Sequence, residues 1–125
     1  MIIGIGTDIV KTARFVNMTE GLMARVYTHN ERAYLHVKNH VSAAGLFAAK
    51  EAVAKALGTG FRGFWPSHVE IEHDQMGKPY VVLHDGAARV AAELAKAAGR
   101  REDTINLSIS HTDTDAVAFV IMYAA

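Results

Sequence analysis

The chain contains no cysteine, which excludes a disulfide framework, a zinc ribbon, an iron–sulfur cluster and a thiol nucleophile. Only two of its 125 residues are proline, and 13 basic side chains cancel 13 acidic ones. Scarce proline removes collagen-like and linker-rich architectures, and zero net charge argues against a nucleic-acid binder that works by bulk phosphate neutralisation. No apolar run reaches the roughly eighteen residues of a membrane span. The start Met1-Ile2-Ile3-Gly4 lacks the basic residues that open a secretory signal. The expectation is a cytoplasmic protein with neither nucleic acid nor membrane as partner. No G-x-G-x-x-G follows a strand and no G-x-x-x-x-G-K-[ST] occurs, which removes the dinucleotide fold and the P-loop.

Half of the residues are hydrophobic, and the length suits one compact domain spanning residues 1–125. Charge is unevenly spread. Residues 1–62 hold eight Lys/Arg against four acids, Asp8, Glu20, Glu31 and Glu51, and residues 63–125 hold five against nine. A basic amino-terminal half suits an acidic partner or a phosphorylated ligand, and equally suits packing between copies of the chain.

The β-branched residues of Ile2 to Val10 predict a first strand that ends near Asp8. Broken helical periodicity from Thr12 to Val37 predicts two short helices, one opened by the capping box Thr28-His29-Asn30-Glu31. Ser42 is the expected cap of an alanine-rich helix, Ala43 to Leu57, with Gly58 as its left-handed stop. Residues 61–67 read as an apolar loop. Alternation in His68 to Glu72, a turn at Gln75 to Lys78 and the run Tyr80 to Leu83 predict a hairpin. A helix from Asp85 or Gly86 to Gly99 follows, then strands at Ile105–Ile109 and Ala116–Met122. This order predicts an α+β fold, an antiparallel sheet with helices packed on one side.

Asp8, at the expected strand end, either caps a following turn or presents a carboxylate. Glu51 stands four residues before Lys55, so it reads as an exposed i, i+4 ion pair, or, because so many alanines surround it, as a buried carboxylate that needs a partner. Two carboxylates from separate elements suit a hard cation such as Mg2+ that shares its remaining positions with water and substrate phosphates. His111 closes the strand Ile105 to Ser110, where a general base or phosphate donor can stand. Gly58-Thr59-Gly60 is either a simple helix stop or a place where backbone amides approach a phosphate.

Four blocks occur in order: Gly4-Ile5-Gly6-Thr7-Asp8-Ile9-Val10; Phe47-Ala48-Ala49-Lys50-Glu51-Ala52 continuing to Lys55-Ala56-Leu57-Gly58-Thr59-Gly60; Gly77-Lys78-Pro79; and Ser108-Ile109-Ser110-His111-Thr112. From Ile3 to about Ile121 the chain thereby resembles the bacterial holo-acyl-carrier-protein synthases, the small 4′-phosphopantetheinyl transferases. The resemblance implies transfer of the phosphopantetheine arm of coenzyme A to a serine of apo-acyl carrier protein, with release of adenosine 3′,5′-bisphosphate. It implies Asp8 and Glu51 as magnesium ligands, with Glu51 also assisting deprotonation of the serine. It further implies that Lys55 neutralises phosphate charge, that Thr59 and Gly60 form the phosphate-side loop, that Pro79 lies beside adenine and that His111 stands at the pyrophosphate end. Arg14 and Arg25 fall where relatives meet the acidic carrier protein. A homotrimer with sites between subunits is implied too, and offers Phe64 and Trp65 a second home besides their own core.

Two departures from that pattern stand out. Lys11-Thr12 replaces Glu-Ile, which touches only local surface. Leu46 replaces arginine before Phe47, which predicts a missing contact to a coenzyme phosphate unless Lys50 or Arg62 supplies it. The alternative from a different class is a non-catalytic oligomeric module that binds a nucleotide or an acidic protein.

Overall fold

A computed structural model describes residues 1–125. Strand β1 (Ile2–Lys11) leads through a 3-10 turn, Thr12–Phe15, to the short helices α1 (Glu20–Val26) and α2 (His29–His36) and the long helix α3 (His40–Ala56). A second 3-10 turn, Pro66–His68, precedes the hairpin β2 (Val69–His73) and β3 (Pro79–Leu83), then α4 (Asp85–Ala97), β4 (Asp103–His111) and β5 (Asp115–Ala124). The fold is α+β with antiparallel pairing throughout, but the strands form two sheets rather than one: β1-β5-β4 and β2-β3. Strand β3 begins at Pro79, which has no N–H to extend a ladder, and lies alongside β4 without joining it.

Helix α3 crosses one face of the three-stranded sheet and supplies more of the core than any other element, with Ala44, Ala48, Ala49 and Ala52 fully buried. These alanines let backbones come close, and two glycines of β1 complete the fit. A Cβ on Gly4 would stand 2.1 Å from the Ala56 carbonyl oxygen, and one on Gly6 only 1.8 Å from that of Ala52. No side chain larger than hydrogen fits at either position while α3 keeps its place. The opposite sheet face carries no helix, and Ile5, Ile9, Val117, Phe119 and Tyr123 are exposed on it.

Three sequence expectations change. The first strand does not end near Asp8: it runs on to Lys11, and Asp8 pairs with Ala118 in mid-strand, so it caps nothing. Asn39, not Ser42, caps α3, its Oδ1 accepting from the Val41 and Ser42 amides at 3.0 and 3.4 Å. The apolar loop divides its aromatics. Phe64 is buried against Phe61 with ring centres 5.5 Å apart, and Trp65 is left exposed. The capping box of α2 forms as read, and Gly58 stops α3 with φ of 80°.

Candidate active site

Alternation along β1 turns Gly4, Gly6, Asp8 and Val10 toward α3 and Ile5, Thr7 and Ile9 away from it. The glycines therefore do more than relax the strand: they bring the inward carboxylate of Asp8 against the carboxyl-terminal half of α3. Lys55 Nζ reaches down from that helix to Asp8 Oδ1 at 3.1 Å and to the Thr7 carbonyl oxygen at 2.9 Å. The expected Glu51–Lys55 ion pair within the helix does not form, because the strand offers Lys55 two closer acceptors. Glu51, half-buried one turn earlier, keeps no ion pair. Burial, reinforced by the Asp8 charge, pushes its carboxyl above the ordinary value, with Lys55 and Arg14 pulling the other way.

Two carboxylates near enough to repel, in a partly dry setting, form a hard-oxygen donor pair whose charge a divalent cation would relieve. No group of three His, Cys, Asp or Glu side chains is placed to hold a metal ion. Asp8 and Glu51 alone would offer a hard cation two carboxylates, leaving its other positions to water and ligand phosphates.

The remaining sequence candidates lie around this pair at varying remove. Thr59 and Gly60 follow α3 directly, Gly60 with φ of 58° and the Thr59 hydroxyl donating to the Gly60 carbonyl oxygen at 3.0 Å. His111 and Pro79 line a groove of about 240 Å³ together with Ser42, Gly45, Leu46 and Gly77, and neither Asp8, Glu51 nor Lys55 enters its wall. Arg14 closes the first 3-10 turn and Arg25 the last turn of α1; both are exposed. The chain thus presents two groups that share no pocket wall: Asp8, Glu51 and Lys55, and His111 with Pro79.

The structure removes Lys50, one of the two residues expected to compensate for Leu46. Lys50 is fully buried, with Nζ donating to Glu31 Oε1 at 2.7 Å, to the Pro66 carbonyl oxygen at 3.1 Å and to that of Val69. It cannot reach a phosphate. Leu46 itself is 2% exposed and packs in the core beneath the His111 groove. The sequence reading named Gly4, Gly6 and Arg14 without the packing roles that the structure gives them. Gly4 and Gly6 set the strand-to-helix distance, which their G-x-G spacing signals only once the helix above is known. Arg14 lies over the rings of Phe15 and Phe47 and within electrostatic reach of Glu51, a meeting of separate elements that no local pattern shows.

Comparison with known proteins matches residues 4–118 to the 4′-phosphopantetheinyl transferase superfamily. The chain belongs to that superfamily. The holo-[acyl-carrier-protein] synthase of Clostridium tetani is 43% identical over 127 residues, covering 98% of this chain and 96% of the relative. Among solved structures, the holo-(acyl-carrier-protein) synthase of Bacillus anthracis, in complex with CoA (3′,5′-ADP), superimposes with a TM-score of 0.80 at 34% identity and covers 100% of this chain and 99% of that one. The holo-[acyl-carrier-protein] synthase of Neisseria meningitidis gives a TM-score of 0.81 at 32% identity, covering 98% and 99%. The two carboxylates and the lysine therefore sit on a fold that has handled coenzyme A in a relative, over essentially its whole length.

Proposed function

We propose that the protein is a holo-acyl-carrier-protein synthase that moves 4′-phosphopantetheine from coenzyme A to a serine of apo-acyl carrier protein. The observation that carries this reading is the convergence of Asp8, Glu51 and Lys55 where Gly4 and Gly6 admit α3. The serine oxygen attacks the β-phosphorus of coenzyme A; the bond from that phosphorus to the bridging oxygen breaks, and adenosine 3′,5′-bisphosphate leaves. Glu51 receives the serine proton directly or through water. Lys55 has one N–H donor beyond the two spent on Asp8 and Thr7, and directs it with its charge at the pyrophosphate. Asp8 and Glu51 would hold Mg2+, which would supply charge neutralisation at the pyrophosphate. Thr59 and Gly60 approach the phosphates, Pro79 flanks the adenine, and His111 donates to the pyrophosphate end.

The uncovered apolar sheet face supports a homotrimer, in which the His111 and Pro79 groove of one subunit completes the Asp8, Glu51 and Lys55 cluster of its neighbour. Arg14 and Arg25, beside exposed Val16 and Leu22, receive the acidic carrier protein. No helix is long and apolar enough to cross a membrane. The same reading places the reaction in the cytoplasm.

A mass spectrum of apo-acyl carrier protein after incubation with the protein, coenzyme A and Mg2+ tests this. A gain equal to the phosphopantetheine arm is expected. Binding without that gain would favour a non-catalytic module, and breakdown of coenzyme A without carrier protein would identify a hydrolase.

A further inference from the structure

The guanidinium of Arg14 occupies an unusual setting for an exposed arginine. Its central carbon lies 5.6 Å from the ring centre of Phe15 and 5.5 Å from that of Phe47, and the two rings stand 5.3 Å apart at 50° to one another. Phe15 is buried and Phe47 half-buried, so the pair forms a fixed wall. Arg14 makes no ion pair, and none of its N–H groups donates a hydrogen bond within the chain. Its charge nevertheless reaches Glu51. Arg25, the other exposed arginine of this surface, rests on no ring.

A cation held over aromatic faces loses rotamer freedom before any ligand arrives, and the planar fork of donors stays available for a carboxylate. The two rings come from different elements, the first 3-10 turn and α3, and Phe47 lies one turn before Glu51 on the same helix. The clamp therefore fixes the distance between Arg14 and the proposed chemistry. We propose that Phe47 and Phe15 are positioning residues: they hold the Arg14 guanidinium, donors free, so that a carboxylate of the acidic carrier protein docks at a set distance from Glu51. The inference rests on the proposed transfer reaction and assigns it a determinant of acceptor recognition.

The test is steady-state kinetics with each substrate varied in turn. Phe47→Leu keeps apolar bulk and removes the ring, so the KM for carrier protein should rise about two- to fivefold, with kcat and the KM for coenzyme A little changed. Phe47→Tyr keeps the ring and should keep the wild-type KM. In an Arg14→Ala background, Phe47→Leu should add nothing, because the clamp then has nothing to hold. Arg14→Lys, which retains charge but not the planar fork, gives a second reading that does not depend on the fold of the Phe47 variants. It should raise the same KM. An equal rise in both KM values, an additive effect in the Arg14→Ala background, or an unchanged carrier KM in Arg14→Lys would overturn the clamp. Calorimetric titration of apo-carrier protein into wild type and Phe47→Leu reads the same difference without turnover, so failure of the transfer reaction itself remains distinguishable.

Discussion

Lys50 and Lys55 lie five residues apart on α3, each paired with a carboxylate, yet they occupy opposite environments. At about 100° per residue they point to different sides of the helix. The Lys50 side chain is 0% exposed and its three donors meet Glu31, Pro66 and Val69, one acceptor each. Glu31 is as fully used: it also accepts from the Thr28 amide at 2.9 Å and from the Ile71 amide at 2.9 Å. The Lys55 side chain is 53% exposed and has spent only two donors. A saturated, buried cation ties α3 to α2 and β2; an unsaturated, exposed one remains free to meet a ligand. One motif thus contains a fastening and the lysine assigned to the proposed reaction, and the number of unmet donors separates them.

The comparison breaks most sharply at Lys50. Lys50→Ala strands the Glu31 charge in the core and should cost about 3–5 kcal/mol of stability, read by chemical denaturation. A loss below about 1 kcal/mol would remove the structural role assigned to the buried pair. The next effect concerns the distance between β1 and α3. Gly6→Ala drives a methyl into the Ala52 carbonyl oxygen, so α3 must lift; about 1–3 kcal/mol of stability should go, and transfer with it as Asp8 parts from Lys55. A wild-type rate in this variant would contradict the close packing.

The smallest effect sharpens the picture of the buried side. Burial opposes ionisation of Glu70, but hydrogen bonds from Thr28 and His84, with the charges of His84 and Lys50, win and hold its carboxyl below the ordinary value. A carboxyl lowered on folding stabilises above its unfolded pKa, and that contribution disappears as pH falls through the lower folded value. Stability should therefore decline on acidification from near pH 4.5 downward, and Glu70→Gln should flatten part of that decline. An unaltered acid limb in denaturation curves would show that Glu70 carries none of it.

Local chemistry made much of this legible. The capping box at Thr28 and Glu31, the glycine stop at Gly58 and the alternation of β4 are short-range signals, and each element formed where those residues put it. The start of α3 was not legible, because His40 and Val41 lack the periodic alanines that mark the rest, and Ser42 competes with Asn39 as a cap by residue type alone. The division into two sheets depends on how β3 meets β4, a tertiary matter. The family motifs pointed to Asp8, Glu51 and Lys55, and the fold joins Asp8 to Lys55 through a hydrogen bond that no motif announced. They did not distinguish Lys50 from Lys55, since burial depends on the Glu31 that α2 brings from a separate part of the chain.

The central claim is that one lysine holds the fold and the other serves the reaction, and the most direct test sets Lys50→Met beside Lys55→Met, with thermal melting and carrier-protein mass shift measured on both. Lys55→Met should melt within a few degrees of wild type, an exposed pair being worth at most about 1 kcal/mol, and should transfer little or no phosphopantetheine. Lys50→Met should melt far lower, and whatever fraction stays folded should still transfer. A Lys55→Met protein that transfers at the wild-type rate, or a Lys50→Met protein that melts normally and has lost transfer, would contradict the account.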